Sequence, residues 1–180
     1  MIVQRMTAEA FDAFTELPEN ADKLFEFVGG DVFEVPSNPY ASKISINFTI
    51  PIALFVKERD LGHITGEAGG YMVFGERYAP DVAFIFKIKQ PELARQGYNP
   101  IPPDLAVEID FPSTYESQRN LRIKTANYLA VGTTVWIVYP ESKTVEVYVP
   151  GKKVEIVDIE GTLDGGDVLP GFTLALKDVF

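Results

Sequence analysis

Three carboxylates and one lysine stand where they could share a site. Residues 104–110 alternate: Leu105, Val107 and Ile109 face one way, Ala106, Glu108 and Asp110 the other. That period of two predicts a strand, with Pro102 and Pro103 before it and Pro112 after it. A carboxylate on a sheet face is costly unless a charge answers it. Asp81 opens a second run, Val82-Ala83-Phe84-Ile85-Phe86, whose continuous apolar character suits a strand buried on both faces. If the two strands pair, Asp81 and Glu108 meet at one edge of the sheet. Two or three carboxylates converging with water suit Mg²⁺ or Mn²⁺. Such a metal can hold a phosphate oxygen and lower the pKa of a bound water.

Lys124 is the cation within reach. At about 100° per residue, Leu121, Lys124, Tyr128 and Val131 fall on one stripe of the helix that follows the carboxylate strand, with Asn120 one turn before the lysine. From there Lys124 can reach the Asp81–Glu108 pair, or a phosphate held by it. The alternative is a surface lysine whose stem covers apolar neighbours while its ammonium stays in water. Glu26 lies among aromatic neighbours in Phe25-Glu26-Phe27; taken alone it reads as an edge-strand glutamate facing solvent. His63 is the only histidine and reads as part of a surface turn at a helix exit. There is no cysteine, which excludes disulfides, thiolate zinc sites and a cysteine nucleophile.

The elements that must position these groups follow in order. Thr7 caps a helix carrying Phe11, Phe14 and Leu17 and stopped by Pro18. Residues 24–28 and 32–36 make a hairpin about Gly29-Gly30-Asp31. A helix spans residues 41–59, with Ile44, Phe48, Ile52 and Phe55 on one face, a kink at Pro51 and Gly62 closing it. Residues 64–74 read as a strand pair about Gly69-Gly70, and residues 87–103 as a polar connection. Ser113 and Thr114 cap a helix that Gly132 ends. A core strand at 134–139, a hairpin about Pro150-Gly151 and a turn-rich tail complete one domain, residues 1–180, of α/β class with a mixed sheet.

The 180 residues carry 46% hydrophobic side chains, which marks a globular chain, and a net charge of −10, which disfavours broad binding to nucleic acid. The charge is uneven. Residues 87–124 hold six bases and five acids, a net of +1, so the remainder carries −11. Contact with nucleic acid would be confined to a small basic surface such as Lys87, Lys89, Arg119 and Arg122. The N-terminus lacks a signal peptide's apolar core, and the most apolar stretch, residues 44–56, is too short for a membrane span. A cytoplasmic protein with no membrane partner is expected.

From residue 6 to 180 the chain resembles the Uma-two family of restriction-endonuclease-like proteins, in the PD-(D/E)XK nuclease superfamily. The resemblance rests on Phe25-Glu26-Phe27-Val28-Gly29-Gly30, Pro80-Asp81-Val82, the run from Val107 to Thr114, and Lys124, Tyr128, Gly132 and Trp136-Ile137-Val138. It implies a restriction-endonuclease-like mixed β-sheet core flanked by helices, with added β-hairpins. It also implies Mg²⁺ or Mn²⁺ at Asp81 and Glu108, and phosphodiester cleavage in nucleic acid, DNA ahead of RNA. The superfamily's lysine usually stands two residues after the glutamate, where this chain has Asp110. In the Uma-two family that function looks to have moved to the next helix, which points to Lys124. Glu26 matches the early glutamate, a supplementary metal ligand, and Tyr40 stands where the family often has a histidine. Asp110, Asn120 and Tyr40 are additional site candidates, and a homodimer is expected. The competing reading is a non-catalytic acidic protein-interaction module that retains the nuclease fold. A glycosidase with paired carboxylates fits poorly, because Lys124 would have no role.

Overall fold

In the computed structural model, residues 6–20, 22–35, 38–111 and 114–180 are described. Chain order is α1 (Ala8–Thr15), β1 (Phe25–Val28), β2 (Asp31–Glu34), α2 (Pro39–Glu58), β3 (Gly62–Gly66), β4 (Tyr71–Val73), β5 (Glu76–Tyr78), β6 (Val82–Phe86), β7 (Leu105–Ile109), α3 (Tyr115–Ala130), β8 (Thr134–Tyr139), β9 (Thr144–Tyr148), β10 (Glu155–Val157), β11 (Thr162–Asp164) and β12 (Thr173–Ala175). The expected strand ends at Pro36 and Pro112, and the cap at Ser113, lie outside the described residues.

A six-stranded sheet runs in the order β10-β9-β8-β7-β6-β3, and a four-stranded sheet in the order β2-β1-β5-β4. In the larger sheet β7 and β8 are parallel, as a helical crossover through α3 requires, and the other pairs are antiparallel. One face of this sheet packs Phe84, Leu105, Val107 and Trp136 against Phe48, Ile52 and Val56 of α2 and Leu176 and Val179 of the tail. The other face carries Ala83, Ala106, Val135 and Ile137 against Tyr128 of α3 and Tyr71 and Tyr78 of the smaller sheet. Ala83 and Ala106 are register partners. Their small side chains leave room for these tyrosines to pack close over the sheet.

Local chemistry explains where the elements begin. Asn38 caps α2, its Oδ1 accepting from the Tyr40 and Ala41 amides, so the helix starts at Pro39, two residues ahead of the expected start. Proline is well placed there, because a first-turn N–H is unpaired anyway. Thr114 and Ser117 form a capping box at the start of α3, and Gly132, at φ 88°, follows its end.

Three expectations are corrected. Gly62 does not close α2; it opens β3, and a Cβ there would lie 2.0 Å from the Ile85 carbonyl oxygen. His63 is therefore on a strand, with Nε2 3.2 and 3.0 Å from the carbonyl oxygens of Gln90 and Pro91, so that nitrogen carries the proton. Residues 64–74 are not a strand pair, since β3 joins β6 while β4 joins β5 in the other sheet. Among the described residues no helix is long and apolar enough to cross a membrane.

Candidate active site

The site begins with the pairing of β6 and β7. Val82 stands opposite Val107 and Ala83 opposite Ala106. One step further along that antiparallel register, Asp81 stands opposite Glu108. Both carboxylates thus leave the sheet on the alanine face, towards α3. Asp81 Oδ2 accepts the Ile109 amide at 2.7 Å, and its carbonyl accepts the Ser45 hydroxyl of α2 at 3.1 Å. These bonds fix Asp81 just as the chain enters β6.

Lys124 comes from α3 and ties the two sheets together. Its Nζ donates to Glu108 Oε2 at 2.7 Å and to Glu26 Oε1 of β1 at 2.8 Å. Glu26 Oε1 also accepts the Ala79 amide at 2.8 Å, and Glu108 Oε1 accepts the Tyr128 hydroxyl at 3.1 Å. The Tyr78 ring flanks the ammonium at 5.6 Å. Lys124 is only 7% exposed, so it is not a lysine reaching out to water. Glu26 is not an edge residue either, because β1 is paired on both sides. Two of the three ammonium N–H groups are committed to carboxylates, which leaves one.

Three acids around one ammonium leave an electrostatic deficit. Burial pushes the Glu108 carboxyl up to about 8; Lys124 opposes this, and the charges of Glu26 and Asp81 add to it. Burial pushes Asp81 up to about 6, against the Ile109 amide and Lys124, with Glu26 and Glu67 adding. Burial alone would lower Lys124, but Glu108 and Glu26 outweigh it and hold the lysine above its ordinary range. The lysine is therefore a fixed cation at neutral pH, and the acids around it would gain from a second one.

Glu26, Asp81, Glu108, Asp110, Asn120 and Lys124 line one cavity of about 360 Å³. Six of the seven residues singled out in the sequence thus converge. The seventh, Tyr40, stands in the first turn of α2, 43% exposed, with its ring 6.1 Å from that of Phe111, and is not on the cavity wall. Asp110 Oδ2 and Asn120 Oδ1 are buried with no hydrogen-bond partner among the described residues. The donors are all oxygen, which suits a hard cation that keeps part of its water shell. Among the described residues no three acidic or histidine side chains close on one point as a finished cage. Lys124 stands between Glu26 and Glu108 instead, so a metal here would be held mainly by Asp81 and Glu108.

A family model described as "Putative restriction endonuclease" matches residues 11–177. The chain belongs to the Uma2 family. Among solved structures it is similar to "a putative nuclease belonging to DUF820 from Anabaena variabilis ATCC 29413", with 22% identity, 97% of each chain covered and a TM-score of 0.79. At that identity the likeness is one of fold. No curated protein matches the chain. The Uma2 match spans every element that contributes to the cavity.

Sequence reasoning missed two supports of the site. Tyr128, which holds Glu108, was on the lysine's stripe one turn further on, so its position was readable but its partner was not. The Ala79 amide that fixes Glu26 follows β5, a strand too short and polar to show a period. The four residues of the expected basic surface fall in two places. Lys87 pairs with Asp60 and Lys89 with Asp104, and both follow the end of β6 remote from Asp81, roughly 20 Å away along an extended chain. Arg119 and Arg122, on α3, remain near the cavity.

Proposed function

We propose that this Uma2 protein is a divalent-metal-dependent nuclease that hydrolyses phosphodiester bonds, with DNA ahead of RNA as substrate. The observation that carries this reading is a single buried ammonium held between Glu26 and Glu108, beside Asp81. Asp81 and Glu108 would hold Mg²⁺ or Mn²⁺, with Glu26 assisting through water, Asp110 as a further acceptor and Asn120 placed to orient a water. A metal bound there would supply positive charge at the scissile phosphate and acidify a water. Lys124 places its remaining N–H on a non-bridging phosphate oxygen and stabilises the charge that builds there. Because it stays protonated, it cannot act as the base. The attacking water adds to phosphorus, one P–O bond breaks, and the leaving oxygen ends with a proton.

The rival reading, an acidic interaction module, would use the exposed stripe Ile46, Ile50 and Leu54 on α2. It leaves the buried Glu26–Lys124–Glu108 arrangement without a purpose. Apolar side chains of similar volume commonly replace such buried ions with no loss of stability. The test is cleavage of a labelled oligonucleotide in millimolar Mn²⁺. Asp81→Asn, Glu108→Gln and Lys124→Ala should each lower the rate by about 10²-fold or more. Lys143→Ala, in an exposed turn, should cleave like the wild type. A wild type that cleaves neither DNA nor RNA, or a Lys124→Ala protein as fast as Lys143→Ala, would contradict the reading.

A further inference from the structure

A second cavity, of about 550 Å³, adjoins the first, and Asp110 and Leu121 line both. It lies between α3 and the larger sheet. Leu129, Ala126 and Ile137 make its walls apolar, with Tyr139 and Tyr148 on the sheet side and Arg122 on the helix. Its size is that of a small-molecule site.

Three features select the occupant. Asp110 lines the cavity, half-buried, and its carboxylate accepts no hydrogen bond among the described residues, so an N–H donor placed against its open side gains a hydrogen bond that the protein itself does not supply. The sheet side is negative: the Tyr148 and Tyr139 hydroxyls both donate to Glu146, at 2.7 and 3.4 Å. A phosphate would be repelled there, whereas a flat neutral ring can stack on tyrosine. Arg122 is exposed and has no ion pair among the described residues, so it is free to meet a phosphate at the solvent side. A neutral ring with an amino group inside and a phosphate outside describes a nucleotide.

We propose that this cavity receives an unpaired, amino-bearing nucleobase of the strand being cut, next to the scissile phosphate, with its exocyclic amine on Asp110. The assignment rests on the nuclease reading and narrows its substrate to single-stranded or unstacked nucleic acid. A base held in a duplex cannot enter. Cytosine offers its amine to a carboxylate. The one ring N–H of thymine lies between two carbonyl oxygens, which Asp110 and Glu146 repel.

The experiment is fluorescence anisotropy with labelled 12-nucleotide strands of deoxycytidine or thymidine, and a 12-base-pair duplex, in EDTA so that nothing is cut. The cytidine strand should bind about tenfold tighter than the thymidine strand, and tighter than the duplex. Asp110→Leu should erase the preference, and Ala126→Trp, which fills the cavity, should weaken both single strands. Folding of each variant is checked by its melting curve, and either variant alone suffices. Equal binding of the two strands, a preference kept in Asp110→Leu, undiminished binding in Ala126→Trp, or no binding of any strand would overturn the proposal. A protein that prefers cytidine yet cuts nothing in Mn²⁺ keeps this cavity's assignment and sinks the nuclease reading. One that cuts both strands but binds them equally does the reverse.

Discussion

Lys124 decides the energetics of the site residue by residue. From its stripe alone it could be a dispensable lysine. Its contacts say otherwise: among the described residues it is the one cation bonded to Glu26 and Glu108, and Asp81 feels it too. Lys124→Ala should therefore cost about 3–5 kcal/mol of stability at pH 8, the usual result of leaving buried charge unanswered. Much of that loss should return at pH 5, where the acids can take protons; denaturant melts at the two pH values measure it. The raised carboxyls set a second dependence. Glu108 moves from 4.5 to about 8 and Asp81 from 3.8 to about 6. Below their ordinary values both the folded and the unfolded chain hold these protons. As pH rises, the unfolded chain releases them first, so folding loses free energy until the folded site has ionised near pH 8. The metal-free protein should thus be less stable at pH 8 than at pH 5, and Glu108→Gln should flatten that slope. An identical slope in the variant would show that Glu108 is not buried among like charges.

At the scale of elements, the β6–β7 pair and α3 do the positioning. Alternation alone made β7 readable, with Ala106 and Glu108 on one face. The apolar run made β6 readable, and the spacing of Leu121, Lys124 and Tyr128 made α3 readable. The pairing of β6 with β7, which brings Asp81 opposite Glu108, was legible only as a condition, because register is a tertiary fact. What the sequence hid was local and short. β5 has three residues, two of them charged, and its stability comes from pairing with β1 and β4 rather than from propensity. β3 and β4 looked like one hairpin because a glycine pair separates them, yet they are drawn into different sheets. The alanine pair beneath the tyrosines carries a test. Ala106→Val should overpack the face that holds Tyr128, costing about 1–3 kcal/mol. A chemical melt no weaker than that of the wild type would mean that the tyrosines do not sit so close to the sheet.

For the whole molecule, a net charge of −10 means that any nucleic acid must be met locally. Besides the buried Lys124, Arg119 and Arg122 are the bases on the helix beside the cavity, while Lys87 and Lys89 pair with Asp60 and Asp104. In the proposed nuclease, a divalent metal from solution would supply the second cation among Glu26, Asp81 and Glu108, whose burial and mutual repulsion raise Asp81 and Glu108. The most direct test is the melting temperature at pH 8 with and without millimolar Mn²⁺. Binding to the folded state alone raises it by mass action. The wild type should melt higher in Mn²⁺, while Asp81→Asn should show no such rise and, without metal, should be at least as stable as the wild type. A wild type indifferent to Mn²⁺, or an Asp81→Asn protein that gains as much from it, would contradict a metal site at Asp81 and Glu108.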